Sequence, residues 1–118
     1  MNGRWAAVRY RWRGLKMLMA RSTKVERLWR EHLKAARSWV RGSEVDEVDL
    51  DLLDANTCQC VMTYIDSGSL SAWKTATLVR CIQDLDTVIE QLDGEVSTYF
   101  ERLRDMARVV LGSASARS

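Results

Sequence analysis

The sequence contains no proline among its 118 residues. Proline breaks helices because it lacks a backbone N–H and its ring clashes with the preceding turn. Its absence allows long uninterrupted helices and argues against a β-sandwich rich in turns. The chain has the length of one domain, and its apolar fraction of 47% is sufficient for one continuous core.

Cysteine is scarce, and the three residues present, Cys58, Cys60 and Cys81, cannot all pair within one chain. An odd, small number of cysteines favours a reducing compartment. The N-terminus lacks the apolar core of a secretory signal, and no apolar run approaches the ~20 residues of a membrane span. These observations predict a cytoplasmic protein.

Catalytic signatures are also missing. The chain has a single histidine, so it cannot build a histidine-rich metal centre. It contains no G-x-S-x-G, P-loop or G-x-G-x-x-G motif. We therefore expect a non-enzymatic protein with no catalytic residues and no cofactor.

The residues that could supply four metal ligands are His32, Cys58, Cys60 and Cys81. A C-x-C pair on a helix directs its thiols about 200° apart, whereas zinc sites usually use C-x₂₋₄-C. The spacing therefore predicts buried, inert cysteines and no metal site, with His32 at the edge of an apolar face, where it makes a hydrogen bond.

A run of acids invites a calcium interpretation but lacks the glycine and the later glutamate of an EF-hand loop. It is better explained as a solvated stretch that caps a helix, and its members are Asp46, Glu47, Asp49, Asp51 and Asp54.

Apolar residues recur with a helical period over 4–19, 23–40, 50–65, 71–92 and 95–111. The pattern predicts an all-α fold, an antiparallel bundle of four core helices with an additional basic N-terminal helix. Residues 1–20 would form that N-terminal extension, 21–111 the bundle domain and 112–118 a flexible tail. Asp49 is the expected N-cap of the third predicted helix.

The second predicted helix begins with a capping box in which the side chains of Thr23 and Glu26 would satisfy two backbone N–H groups. It would reach Val40 and stop at Gly42. Opposite its apolar stripe, cations step by three and four residues and form a ridge, which we call the basic ridge: Arg27, Arg30, Lys34, Arg37 and Arg41.

Charge is distributed unevenly along the chain. Residues 1–42 hold 12 basic and 2 acidic side chains, and residues 43–118 hold 6 basic and 14 acidic ones. Either the basic half binds an anionic partner, or it docks on the acidic half of the same chain. The near-balance of the two excesses favours internal pairing.

The basic N-terminal segment carries Trp5 and Trp12 on its apolar side. Such a helix can lie on an anionic membrane surface, enter a partner's groove or pack on its own domain. Alternatively, Met17 or Met19 is the true start and the preceding residues are untranslated.

One resemblance spans residues 27–111. The stretches that carry it are Leu28–Leu33, Val48–Asp54, Cys60–Val61, Arg80–Leu85 and Tyr99–Leu103. In these the chain resembles small uncharacterised actinobacterial helical proteins, and the resemblance implies a bacterial cytoplasmic protein without assigning an activity.

We expect a non-enzymatic helical protein-interaction module, a bacterial protein of regulatory or immunity type. Its candidate partner-binding residues are those of the basic ridge together with Trp5 and Trp12. Two alternatives remain open: a nucleic-acid-binding protein that uses the basic ridge, and a membrane-surface protein that uses the N-terminal helix. The oligomeric state is not predicted.

Overall fold

The computed structural model describes residues 23–116, and 75% of the described chain is helical. Within this range the chain forms four helices, α1 (Thr23–Lys34), α2 (Leu50–Ser67), α3 (Ala72–Ile89) and α4 (Gly94–Ala116). A short hairpin of β1 (Glu44–Val45) and β2 (Val48–Asp49) precedes α2. The mostly helical fold is therefore confirmed, while the helix predicted over 4–19 lies outside the described residues.

The two middle helices start at side-chain caps. Asp49 accepts a hydrogen bond from the backbone N–H of Leu52 at 3.0 Å, which confirms the predicted N-cap of α2. Ser71 does the same for the N–H of Lys74 at 3.1 Å. Gly68 ends α2 in the left-handed region at φ 80°, where glycine meets no Cβ penalty.

Helix α4 packs against each of the other three helices. Its apolar stripe is buried as its spacing predicts, with Leu103 fully inaccessible. The helix continues to Ala116, beyond the expected end at Leu111. The buried members of the stripe are Tyr99, Phe100, Leu103, Met106, Ala107 and Val110.

Helix α1 is shorter than predicted, because it ends at Lys34 and not near Val40. The indole of Trp39 lies against the rings of Tyr99 and Phe100, with both centroids 4.8 Å away. These contacts hold the chain after Lys34 in a path that leaves the helix axis. Tertiary packing here outweighs local helix propensity.

The hydrogen bond that Glu26 would contribute to the predicted capping box is not formed. Glu26 is 1% exposed, and neither of its carboxylate oxygens has a hydrogen-bond partner within residues 23–116. Its side chain therefore does not reach back to the N–H of Thr23. Helix α1 is instead held by its apolar face, where Val25 and Trp29 are buried.

The hairpin was not predicted from the sequence. Val45 pairs with Val48 across a two-residue turn, and both turn residues have positive φ, 49° at Asp46 and 67° at Glu47. Two consecutive left-handed residues form the turn that matches the twist of paired strands. The hairpin delivers the chain directly to the N-cap of α2 at Asp49.

No helix in the described part of the chain is both long enough and apolar enough to cross a membrane.

Candidate functional sites

Four polar side chains meet in the interior between three helices. His32 comes from α1, Asp54 and Cys58 come from α2, and Tyr99 comes from α4. All four residues are buried, with exposures of 6%, 2%, 0% and 4% respectively. Asp54 and Cys58 are four residues apart on one helix, so both face the same side of α2. We call this group the polar cluster.

The atoms of the polar cluster converge on a single nitrogen. His32 Nε2 lies 3.1 Å from Cys58 Sγ, 3.1 Å from the Tyr99 hydroxyl and 3.5 Å from Asp54 Oδ1. Cys58 Sγ lies 3.6 Å from the same carboxylate oxygen. His32 Nδ1 is buried and has no hydrogen-bond partner in the described range.

The carboxylate of Asp54 uses its two oxygens differently. Oδ1 accepts a 2.8 Å hydrogen bond from the Tyr99 hydroxyl, while Oδ2 lies 3.6 Å from Nε of Arg37. Burial and the neighbouring charge of Asp54 raise the pKa of Tyr99 far above its ordinary value. Tyr99 therefore keeps its proton and acts as a donor. Arg37 is half exposed and connects the cluster to the surface.

Aromatic rings enclose the polar cluster. Trp29 stacks on the His32 ring with centroids 5.8 Å apart, and the His32 ring lies 4.7 Å from that of Tyr99. Trp39 covers Tyr99 from the loop that follows α1. These apolar walls lower the local dielectric, so the polar contacts inside are stronger than they would be in water.

The arrangement differs from a nucleophilic triad. In such a triad the carboxylate orients the histidine through one ring nitrogen while the nucleophile contacts the other. Here Asp54 and Cys58 approach the same nitrogen of His32, and the thiol is fully buried. His32, Asp54 and Cys58 are instead the residues that could hold a metal ion, because their ligand atoms all lie within 4.8 Å of one another.

Sequence reasoning placed some of these residues correctly. Cys60 points away from Cys58 and lies 3.7 Å from the carbonyl oxygen of Lys74, as the divergence of a C-x-C pair predicts. All three cysteines are buried. Asp54 was expected to be solvated and is not, since it is 2% exposed. The signal for its role was the i, i+4 spacing to Cys58 on the inner face of α2.

A second site is the groove between α2 and α3, with a volume of about 660 Å³. Trp73 falls within the apolar pattern over 71–92, which predicts burial, but it is 72% exposed at the edge of this groove. Leu52 is 59% exposed. Three acids and one base, Glu47, Asp49, Asp84 and Arg80, also line it. We call it the Trp73 groove. The sequence did not single it out.

The basic ridge is interrupted where α1 ends. Arg27, Arg30 and Lys34 lie on the exposed side of α1, but Arg37 and Arg41 belong to the following loop. The prediction of five cations along one helix is therefore wrong. Arg37 turns inward to Asp54, an ion pair between the basic and the acidic half of the chain. Trp5 and Trp12 lie outside the described residues.

No protein-family model, curated protein or solved structure matches this chain.

Proposed function

We propose that the chain is a non-enzymatic protein-interaction module that captures a basic amphipathic segment of another protein in the Trp73 groove. The observation that carries the proposal is the exposure of Trp73, 72%, beside a concave surface that also exposes Leu52.

An exposed tryptophan next to a groove is an expected feature of a binding surface. Tryptophan is enriched among the residues that dominate binding energy, since its large rigid ring buries much apolar area at little entropic cost. Trp73 packs on little of its own chain, and Lys74 Nζ lies over its ring, 5.9 Å from the centroid. A partner that covers Trp73 and Leu52 removes both from water.

The charges around the groove favour a basic partner. Glu47, Asp49 and Asp84 outnumber Arg80 along its lining. Opposite charge across an interface speeds encounter and selects partners more than it adds affinity. An amphipathic helix with an apolar stripe and basic flanks fits both the apolar edge and the acidic lining.

The proposal extends to the rest of the expected architecture. The four helices form an antiparallel core, the basic N-terminal segment is an additional helix, and the protein is a cytoplasmic bacterial protein of regulatory or immunity type. The small, odd number of cysteines, all three of them buried, supports the reducing compartment.

Nucleic-acid binding is the second candidate, supported by the exposure of Arg27 and Lys34. Neither side chain forms a salt bridge with an acid within residues 23–116. Cations that face solvent can bind phosphates through counterion release. The shortened ridge gives this candidate fewer contacts than the sequence predicted. Membrane association through the N-terminal helix concerns residues outside that range.

The decisive experiment is capture of partners from the native host by the wild type and by Trp73→Ala. We expect the wild type to retain a protein that survives nuclease treatment, and the Trp73→Ala variant to lose it. Val40→Ala is the matched control, because Val40 is 78% exposed but does not line the groove.

The contrary outcome is equally specific. Retention of the partner by Trp73→Ala, together with its loss after nuclease or in Arg27→Glu/Lys34→Glu, would establish nucleic acid as the ligand. Binding by that route should also fall steeply with added salt.

A further inference from the structure

We propose that His32, Asp54 and Cys58 form a binding site for one zinc ion, in addition to the docking function of the Trp73 groove. This site differs from the expectation of inert cysteines, because it uses one thiol with a histidine and a carboxylate and leaves Cys60 and Cys81 aside.

Two of the three separations between the donor atoms match those around a tetrahedral ion. Zinc bonds of about 2.0–2.3 Å at tetrahedral angles place neighbouring nitrogen, oxygen and sulfur ligands about 3.4–3.6 Å apart. Asp54 Oδ1 lies 3.5 Å from His32 Nε2 and 3.6 Å from Cys58 Sγ. The third separation, 3.1 Å between Nε2 and Sγ, is shorter and needs to open by about 0.5 Å.

The polar neighbours of one nitrogen of His32 are more numerous than the hydrogen bonds that it can form. One imidazole nitrogen either donates a single proton or accepts through a single lone pair. His32 Nε2 nevertheless has three polar neighbours, from Asp54, Cys58 and Tyr99, within 3.5 Å. A cation bound between His32, Asp54 and Cys58 would be coordinated by all three side chains at once.

The chemistry of the donors selects the metal. Thiolate and imidazole favour zinc over magnesium or calcium, which take oxygen ligands. The thiolate of Cys58 and the carboxylate of Asp54 balance the two positive charges of the ion, and His32 coordinates as neutral imidazole. Binding releases the thiol proton of Cys58, so affinity rises with pH until the thiol is ionised.

The outer shell of the site is built on Asp54 and not on His32, whose Nδ1 lacks a hydrogen-bond partner in the described range. Tyr99 is a positioning residue, since it donates to Asp54 Oδ1 at 2.8 Å and orients that oxygen. Arg37 holds the other oxygen and is half exposed, so displacement of its side chain opens a route from solvent.

The test uses the full chain, freed of metal by a chelator, and titrates it with Zn²⁺ and with Co²⁺ as a spectroscopic probe. We expect one ion per chain, a rise in Tm with Zn²⁺ that a chelator reverses, and a thiolate-to-cobalt charge-transfer band. Cys58→Ala should lose that band, whereas Cys60→Ala, also a buried cysteine, should keep it. Tyr99→Phe should keep the band but bind about 10–100-fold more weakly.

Two results would overturn the site. The first is that the wild-type chain binds no stoichiometric Zn²⁺ and shows no rise in Tm. This measurement does not depend on the folding of any variant. Alternatively, the cobalt band could persist in Cys58→Ala, with circular dichroism showing a folded protein. Neither result bears on partner capture by Trp73, so the two proposals fail separately.

Discussion

The indole N–H of Trp39 donates a 2.8 Å hydrogen bond to Oδ1 of Asp51. The other oxygen of the same carboxylate accepts a hydrogen bond from the backbone N–H of Gly42, also at 2.8 Å. Asp51, in the first turn of α2, therefore fastens two points of the loop that follows α1. The same indole packs on Tyr99 and Phe100, so this contact links the loop to the core.

This arrangement predicts a specific dependence on pH. The hydrogen bonds from Gly42 and Trp39 lower the pKa of Asp51 below its ordinary value. A carboxyl whose pKa is depressed in the folded state adds stability above its unfolded pKa, and that stability is lost as the pH falls through the folded pKa. The advantage of the wild type over Asp51→Asn should therefore be constant near neutral pH and shrink below about pH 3.9. Urea titrations at several pH values measure it, and an advantage that grows with acid would contradict the assignment.

Leu103 tests the core directly. It is fully buried in the apolar stripe of α4, so Leu103→Ala leaves a cavity and should reduce the free energy of unfolding by about 2–5 kcal/mol. Val40→Ala, at a side chain that is 78% exposed, should change it by less than about 0.5 kcal/mol. Chemical denaturation measures both. If both substitutions changed the free energy of unfolding equally, Leu103 would not be a buried core residue.

Glu47 tests the hairpin turn. Its φ of 67° lies in the left-handed region, which costs a residue with a side chain roughly 1–2 kcal/mol, while glycine adopts it freely but has a more flexible unfolded chain. We expect Glu47→Gly to raise the free energy of unfolding by about 0.5–1 kcal/mol. Glu44→Gly removes the same side chain from the neighbouring strand and should not stabilise. A gain in both variants would indicate relief of charge repulsion and not of backbone strain.

Arg37 tests the ion pair between the two halves of the chain. Arg37→Glu places a like charge beside the buried carboxylate of Asp54 and should cost about 1–2 kcal/mol. This is less than for a fully buried pair, because the Arg37 side chain is 46% exposed. Arg27→Glu is the matched control on the outer face of α1. Thermal denaturation in the presence of a chelator compares them, and a neutral Arg37→Glu would show that the pair contributes nothing.

The sequence predicted the helices best where one apolar face fixes them. The stripe of α4 repeats with a helical period and needs only a neighbour to bury it. The end of α1 could not be predicted, because Ala35 and Ala36 favour a helix and the apolar pattern continues to Trp39. What ends the helix is a contact between Trp39 and two rings of α4, which lie 60 and 61 residues further along the sequence.

The polar cluster could not be predicted from the sequence, because it also depends on contacts between distant segments. Single positions such as His32 and Tyr99 read as ordinary members of apolar stripes. Only the packing of α1 and α4 against α2 brings their polar atoms to Asp54 and Cys58. The sequence pattern predicts that Trp73 is buried, because an aromatic residue within an apolar pattern normally is. In the structure it is exposed.

The division of the polar cluster among helices has a consequence for motion. Helix α1 has 12 residues, a length at which an isolated helix is marginal in water, and it packs mainly on α4. Transient detachment of α1 carries His32 away and leaves the thiol of Cys58 open to water on one side. The rate at which a thiol reagent labels Cys58 therefore measures the frequency of these local openings. For the same reason, the amide hydrogens of α1 should exchange earlier than those of α3 and α4.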